Sequence, residues 1–244
     1  MIMPPGNDDA ARRGAFASMV AHELRTPLTA AYGALELMSR AAAPATPDEA
    51  RNAVLIDLAH RNTRRLLRIV EDCLDLEAAS DGRLALERAP VDPADVVALA
   101  IEGARSAREQ TGIEIVAEGE ARRFSGDLGR LARALAHLVQ NAVSFAPPGT
   151  AVVVTTTDDH RRDTIRFSVE DRGTGIEPHQ LRALFQRFDC REVPGRTRIG
   201  GLGMGLAFVR AVAEAHGGVV GARSEPGCTE VWMEVPGSWL PTEQ

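Results

Sequence analysis

The sequence predicts two folded units in series. The first is an all-α helical hairpin that pairs with a second copy into a dimeric four-helix bundle. The second is an α+β domain, a two-layer α/β sandwich with helices on one face of a mixed sheet. Three observations carry this. Apolar residues recur every three to four positions through residues 15–39, at Val20, Leu24, Leu28, Ala31, Leu35 and Met38, the buried stripe of an amphipathic helix. A second stripe runs through Leu55, Leu58, Asn62, Leu66, Ile69, Cys73 and Leu76, with the alternating spacing of a bundle and one polar position. Beyond Arg83 short strand and helix patterns mix without strict alternation, and the strands cluster towards the end, which favours α+β over a doubly wound sheet.

Taken in order, residues 1–14 are expected to be a flexible leader and 15–80 the hairpin. The loop Arg40-Ala-Ala-Ala-Pro-Ala-Thr-Pro47 separates its helices. Thr46, Pro47, Asp48 and Glu49 make a helix start, with an N-cap hydroxyl, Pro in the first turn and acids at the positive end of the dipole. Each helix of an isolated hairpin buries only one face, so pairing through 15–39 and 47–79 is what covers the remaining apolar surface. Ser80-Asp81-Gly82 ends the second helix. In the following domain, 81–237, the patterns predict strands at 84–88, 113–117, 151–157, 164–170, 219–224 and 229–235, and helices at 93–109, 127–145, 178–186 and 203–216. Residues 238–244 are a tail.

Composition excludes several functions. All 28 basic residues are Arg and none is Lys, so a P-loop, a eukaryotic-type protein kinase and a Schiff-base enzyme each lack an obligatory group. A net charge of −6 argues against a general nucleic-acid role, which needs a basic footprint. No apolar run of about 18 residues exists, and the first residues have neither the basic end nor the apolar centre of a signal peptide. The expectation is a cytoplasmic chain with no membrane segment. Cys73, Cys190 and Cys228 are odd in number and lack Cys-x-x-Cys spacing, so buried, reduced thiols are expected.

The chemistry-bearing segments begin at His22-Glu23-Leu24-Arg25-Thr26-Pro27. On a helix His22 and Thr26 lie one turn apart on one face, and Glu23 flanks the imidazole. His22 is two residues from both Val20 and Leu24, about 200° around the helix from each, so it faces solvent. A nucleophile, an acid and a hydroxyl thus share one turn. Further on, Asn141 lies in Leu138-Val-Gln-Asn-Ala142 on the strongest helix of the second domain, where its amide oxygen can ligate a hard cation. Asp171-Arg172-Gly173-Thr174-Gly175 ends a strand; a buried Asp there can accept from the amino group of a base while the glycines admit a flat ring. Gly201-Leu202-Gly203-Met204-Gly205 runs straight into a helix, offering bare backbone N–H groups to phosphates. About 30 residues separate each of these three segments from the next. Their order behind a His-Glu-x-x-Thr-Pro helix is what makes them informative together.

In that order the chain resembles the sensor histidine kinases of two-component signalling, over roughly residues 15–236. Ala21 to Leu28 is similar to the phosphoacceptor box, Leu131 to Pro147 to the asparagine box, and Asp171 to Gly175 to the first glycine box. Phe185 to Phe188 is similar to the phenylalanine box and Gly201 to Gly205 to the second glycine box. The resemblance implies a dimerisation and phosphoacceptor hairpin followed by a catalytic domain of the GHKL ATPase type, with ATP and Mg²⁺ as cofactors. It implies an ATP-dependent protein-histidine autokinase whose phosphoryl group passes from His22 to an Asp of a response regulator receiver domain, with dephosphorylation of the regulator as a second activity. By that resemblance His22 is the nucleophile, Glu23 the base or orienting acid, and Thr26 the residue that positions water. Asp171, Gly173 and Gly175 hold adenine, Asn141 holds Mg²⁺, and Gly201, Gly203 and Gly205 line the triphosphate. Arg187, with Arg191, Arg196 or Arg198 of the following stretch, meets phosphate charge beside Phe188 in a mobile lid.

Two positions depart from the family pattern. His137 stands four residues before Asn141 where an Asn is usual, and Ser144 three after it where a basic residue is usual. An imidazole is a poorer Mg²⁺ ligand than an amide oxygen, and a hydroxyl supplies no positive charge. These departures raise the alternative of a dimeric scaffold or phosphatase with a vestigial nucleotide site. About 20 residues precede His22, too few for a sensor domain or anchor. His60, His160, His179 and His216 fall outside any ligand spacing and are expected at the surface or in the core.

Overall fold

The computed structural model describes residues 24–38, 49–181, 183–186 and 204–237. They form two compact units, residues 1–74 and 75–244. His22, Glu23, Thr46, Arg187, Cys190, Gly201 and Gly203 lie outside the described residues, as do the expectations placed on 1–14 and 238–244.

In the first unit, helix α1 (24–38) packs against α2 (Glu49–Ser80), whose residues from Asp75 onward belong to the second unit. In the contact Ala34 meets Leu55 and Ala59, with Met38 and Leu58 at the margin. Of the stripe expected on α1, Ala31 is buried and Leu24 and Met38 are half-buried, but Leu28 is 58% and Leu35 56% exposed, so the buried face is completed instead by Pro27 and Ala34, while Tyr32 is 66% exposed. Several larger residues of α1 are left exposed. On α2 every residue of the expected stripe is buried or half-buried, while Val54, Leu67, Val70 and Leu74 face outward. Asn62 is accommodated in that stripe by donating from its amide to the Leu58 carbonyl at 2.8 Å.

The second unit is built on a five-stranded sheet of order β2-β4-β5-β7-β6, comprising β2 (Glu114–Glu118), β4 (Ala151–Asp159), β5 (Thr164–Asp171), β7 (Cys228–Pro236) and β6 (Val219–Glu225). β2 runs parallel to β4 and the other pairs are antiparallel, the mixed sheet that was expected. Alternate residues Val152, Val154, Ile165, Phe167, Val169, Val231, Met233 and Val235 are buried under α5 (Leu128–Phe145) and α7 (Gly205–Ala215). On the other face the Trp232 indole lies on Gly221, where a Cβ would come within 2.3 Å of it. Arg166 stacks on that indole at 4.8 Å while donating to Glu234.

Four sequence expectations are corrected. No strand forms at 84–88: the Glu87 N–H donates to the Asp127 carboxylate at 3.0 Å instead of to a strand partner. Pairing starts later, between β1 (Ala89–Val91) and a short β3 (Phe124–Gly126), which was not anticipated. The helix expected at 93–109 breaks at Ala104 into α3 (Pro93–Gly103) and α4 (Arg105–Thr111), and Gln140 of α5 takes up the Gly103 carbonyl at 2.9 Å beside the break. The helix expected at 178–186 is a single turn, α6 (Pro178–Leu181), continued by tight i→i+3 bonds such as Ala183 N–H to the Gln180 carbonyl. Finally, Cys73 and Cys228 are not disulfide-bonded but are only half-buried.

Asp127 anchors α5. Its side chain caps the helix by accepting from Arg130 N–H at 3.0 Å, and its own N–H donates to Nε2 of His216 at 3.1 Å. His216 is buried at the end of α7, with Nδ1 donating to the Val212 carbonyl at 2.8 Å. The other three histidines set aside with it, His60, His160 and His179, are exposed. Burial holds the His216 imidazolium below its ordinary pKa of 6.5, against the opposing pull of the Val212 carbonyl. The neutral ring is the one the fold needs, because Nε2 must accept. Its stabilisation is complete above the unfolded-state pKa and is lost as pH falls below about 6.5 towards the folded value. Thermal unfolding is therefore expected at a lower temperature at pH 5 than at pH 7.5, and His216→Gln should flatten that dependence.

Candidate nucleotide site

The C-terminal half of α5 lies against Gly173 and Gly205. His137, Asn141 and Ser144 share one face of this helix, and Asn141 is half-buried there. At the C-terminal end of α5, a Cβ on Gly173 would lie 2.8 Å from the Phe145 carbonyl oxygen. One and two turns earlier the helix meets α7: a Cβ on Gly205 would lie 3.0 Å from Nδ1 of His137. Asn141 thus sits on a stretch of helix bounded by Gly173 on one side and Gly205 on the other.

Asp171 closes β5 and is 5% exposed. Its Oδ1 accepts from the Gly173 N–H at 2.7 Å. A carboxylate has room for several donors, so the bond that fixes its orientation leaves capacity for a further N–H. Glycine is obligatory at position 173 for steric reasons, since a Cβ would be 2.6 Å from Asp171 Oδ1 as well as crowding Phe145. Gly175 adopts φ of 83°, which favours glycine, and lies against Glu225 and Ser224. Two residues that sequence reasoning missed pin this turn. Ser224 Oγ accepts from Ile176 N–H at 2.8 Å and bonds the Thr229 hydroxyl at 2.8 Å, and Thr229 is the cross-strand partner of Asp171. Only the β5–β7–β6 register brings these hydroxyls there, so no local pattern marks them. Gly173→Ala should cost about 1–3 kcal/mol of folding free energy through overpacking. Urea unfolding measures it; an unchanged midpoint would mean that the loop yields freely.

α7 begins at Gly205 without a side-chain cap, in contrast to α3 and α5, each capped by an Asp carboxylate. The first-turn N–H groups of a helix have no intrahelical acceptor, and a helix N-terminus is a place where an anion can bind. The family-divergent positions also have clear places. The His137 ring is turned into the α5–α7 contact, edge-on to Phe208 with centroids 5.4 Å apart. The Ser144 hydroxyl donates back to the Gln140 carbonyl of its own helix at 2.7 Å. Among the described residues no group of three His, Cys, Asp or Glu side chains is arranged to hold a metal by itself. Thr26 is exposed on α1. Among the described residues no helix is long and apolar enough to cross a membrane.

Two family models match the chain: the His Kinase A (phospho-acceptor) domain over residues 12–82, and the histidine kinase-, DNA gyrase B- and HSP90-like ATPase over 126–238. Among similar proteins, the sensor protein DivL of Caulobacter vibrioides is 37% identical over 216 residues, covering 87% of this chain and 26% of DivL. The sensor histidine kinase CusS of Escherichia coli O157:H7 is 34% identical over 230 residues, covering 92% of this chain and 45% of CusS. The chain thus spans less than half the length of these curated relatives. Of solved structures, full-length ShkA in complex with AMPPNP superposes with a TM-score of 0.60 at 29% identity, over 91% of this chain and 45% of ShkA. The Acinetobacter baumannii histidine kinase AdeS shares the fold with a TM-score of 0.60 at 23% identity, over 89% of this chain and 98% of that one. With a phosphoacceptor domain, a GHKL-type ATPase domain and the motifs of both in sequence, the chain belongs to the sensor histidine kinases.

Proposed function

We propose that this chain is an ATP-dependent protein-histidine autokinase that phosphorylates His22 and relays the phosphoryl group to an Asp of a response regulator. The observation that carries the reading is the convergence of Asp171–Gly173 and Gly205 on the stretch of α5 that bears Asn141. In support, a buried carboxylate, an amide side chain and the N-terminus of α7 lie along one helix. The AMPPNP held by ShkA, a structure of the same fold, supports ATP as the ligand. In this reading Asp171 accepts from the adenine amino group, and Gly173 and Gly175 let the ring approach the backbone. Asn141 ligates Mg²⁺ with its amide oxygen, Gly201, Gly203 and Gly205 present N–H groups to the phosphates, and Arg187 adds positive charge. Bound Mg²⁺ would neutralise phosphate charge as the terminal phosphoryl group departs.

His22 supplies the nucleophile. A neutral ring nitrogen forms the P–N bond as the bond to the β-phosphate oxygen breaks, and ADP leaves. Glu23 orients the ring and accepts its other N–H, which favours the reactive tautomer. A regulator Asp carboxylate then takes the phosphoryl group from His22. Thr26, one turn on, positions water for dephosphorylation of the regulator. The apolar residues left outward on α1 and α2 support pairing of two hairpins into a four-helix homodimer through 15–39 and 47–79. The vestigial-site alternative is not favoured, since Asn141, Asp171 and the three glycines are all present.

Incubation with γ-labelled ATP and Mg²⁺ should give acid-labile label on the chain, and adding receiver domains one by one should discharge it to the cognate regulator. No label with either Mg²⁺ or Mn²⁺ would overturn the reading.

A further inference from the structure

The start of α7 is held to α5 by the grip on one aromatic ring. Phe208, in the first turn of α7, is fully buried. Two residues of α5, one turn apart, take hold of it: the Arg133 guanidinium lies over its face, 4.3 Å from the centroid, and the His137 ring meets its edge. His137 is also the side chain on which Gly205 rests. Arg133 is itself anchored. Its guanidinium pairs with the Asp75 carboxylate, whose other oxygen pairs with Arg130 at 2.5 Å. Asp75 belongs to the same compact unit as both arginines and is only 15% exposed, with Arg133 at 21%. Neither group is available to bulk solvent as an ordinary surface pair would be.

We infer that Arg133 is a positioning residue of the nucleotide site and that Asp75 is its anchor. A stacked guanidinium is bound to an aromatic face only weakly, and an arginine side chain has many rotamers that lead to water. The Asp75 carboxylate removes those alternatives and holds Arg133 flat on Phe208. Phe208 then fixes the first turn of α7, and with it the place of Gly205 over α5. The charge on Asp75 is required because a neutral side chain would not compete with water for the guanidinium. The consequence for ATP rests on the function proposed above; the effect on α7 does not.

Full-length Asp75→Asn, Arg133→Met and the double variant separate the two. Amide hydrogen exchange over 204–212 should quicken about tenfold in either single variant and no further in the double, with β5 and β7 unchanged. Affinity for trinitrophenyl-ATP should fall about fivefold to tenfold in the single variants and recover largely in Asp75→Glu. Unchanged exchange at 204–212, equal quickening in the central strands, or additive effects in the double variant would each overturn the inference. Failure of the native chain to bind trinitrophenyl-ATP would overturn the nucleotide reading, while the exchange result would still decide the role of Arg133.

Discussion

Asp171→Asn is expected to weaken ATP binding about a hundredfold while leaving the thermal midpoint close to that of the native chain. The asparagine carbonyl can still accept the Gly173 N–H that now bonds Asp171 Oδ1 at 2.7 Å, so the turn keeps its shape. What changes is the other side of the group. An amide NH₂ would face the adenine amino group, donor against donor, in a position only 5% exposed. Leaving such groups unpaired costs about 1–3 kcal/mol each, and roughly 2.8 kcal/mol is a factor of a hundred. Discrimination against GTP should shrink with it, because guanine carries an acceptor where adenine carries the amino donor. Titration calorimetry with ATP and GTP measures both, and an ATP affinity within threefold of native would remove Asp171 from the site.

His22→Gln should abolish label from γ-labelled ATP while nucleotide affinity stays native. Glutamine matches the imidazole in polarity but has no nucleophilic nitrogen, so it cannot form the P–N bond. The two variants therefore fail differently: one loses the donor, the other only the acceptor. Acid-labile label persisting in His22→Gln would place the acceptor elsewhere in the chain. Thr26→Ala should retain label and slow the loss of phosphate from the regulator, since the hydroxyl acts after transfer in this reading.

The legible part of the fold was the part set by long periodic patterns. α5 was expected at 127–145 and is found at Leu128–Phe145, because its apolar face, its Asp127 cap and its length all agree. Strands β4 to β7 were found within one or two residues of their expected bounds, and β4, β5 and β7 carry buried positions along their length. What failed were short segments whose backbone is claimed by distant partners. The Asp127 carboxylate takes the Glu87 N–H, Gln140 takes the Gly103 carbonyl, and β1 pairs with a three-residue strand more than 30 positions away. None of these competitors is within the window that a periodicity reads.

The sequence alone determined the division into hairpin and sandwich, the identity of the motif residues and their order, because these depend on spacing and on residue chemistry. Tertiary structure decided how those residues are used. It left Leu28 and Leu35 of the α1 stripe exposed and completed the buried face with Pro27 and Ala34. It turned His137 from beside Asn141 into the contact with Phe208 and Gly205, and directed the Ser144 hydroxyl onto its own helix. It also recruited Ser224 and Thr229 to hold the glycine turn after Asp171, and Asp75 to hold Arg133. Apart from the local Ser144 bond, the physical reason is common to them. A side chain's partner is chosen by packing and hydrogen-bond satisfaction in three dimensions, and residues far apart in the chain carry no local sign of the neighbour they will meet.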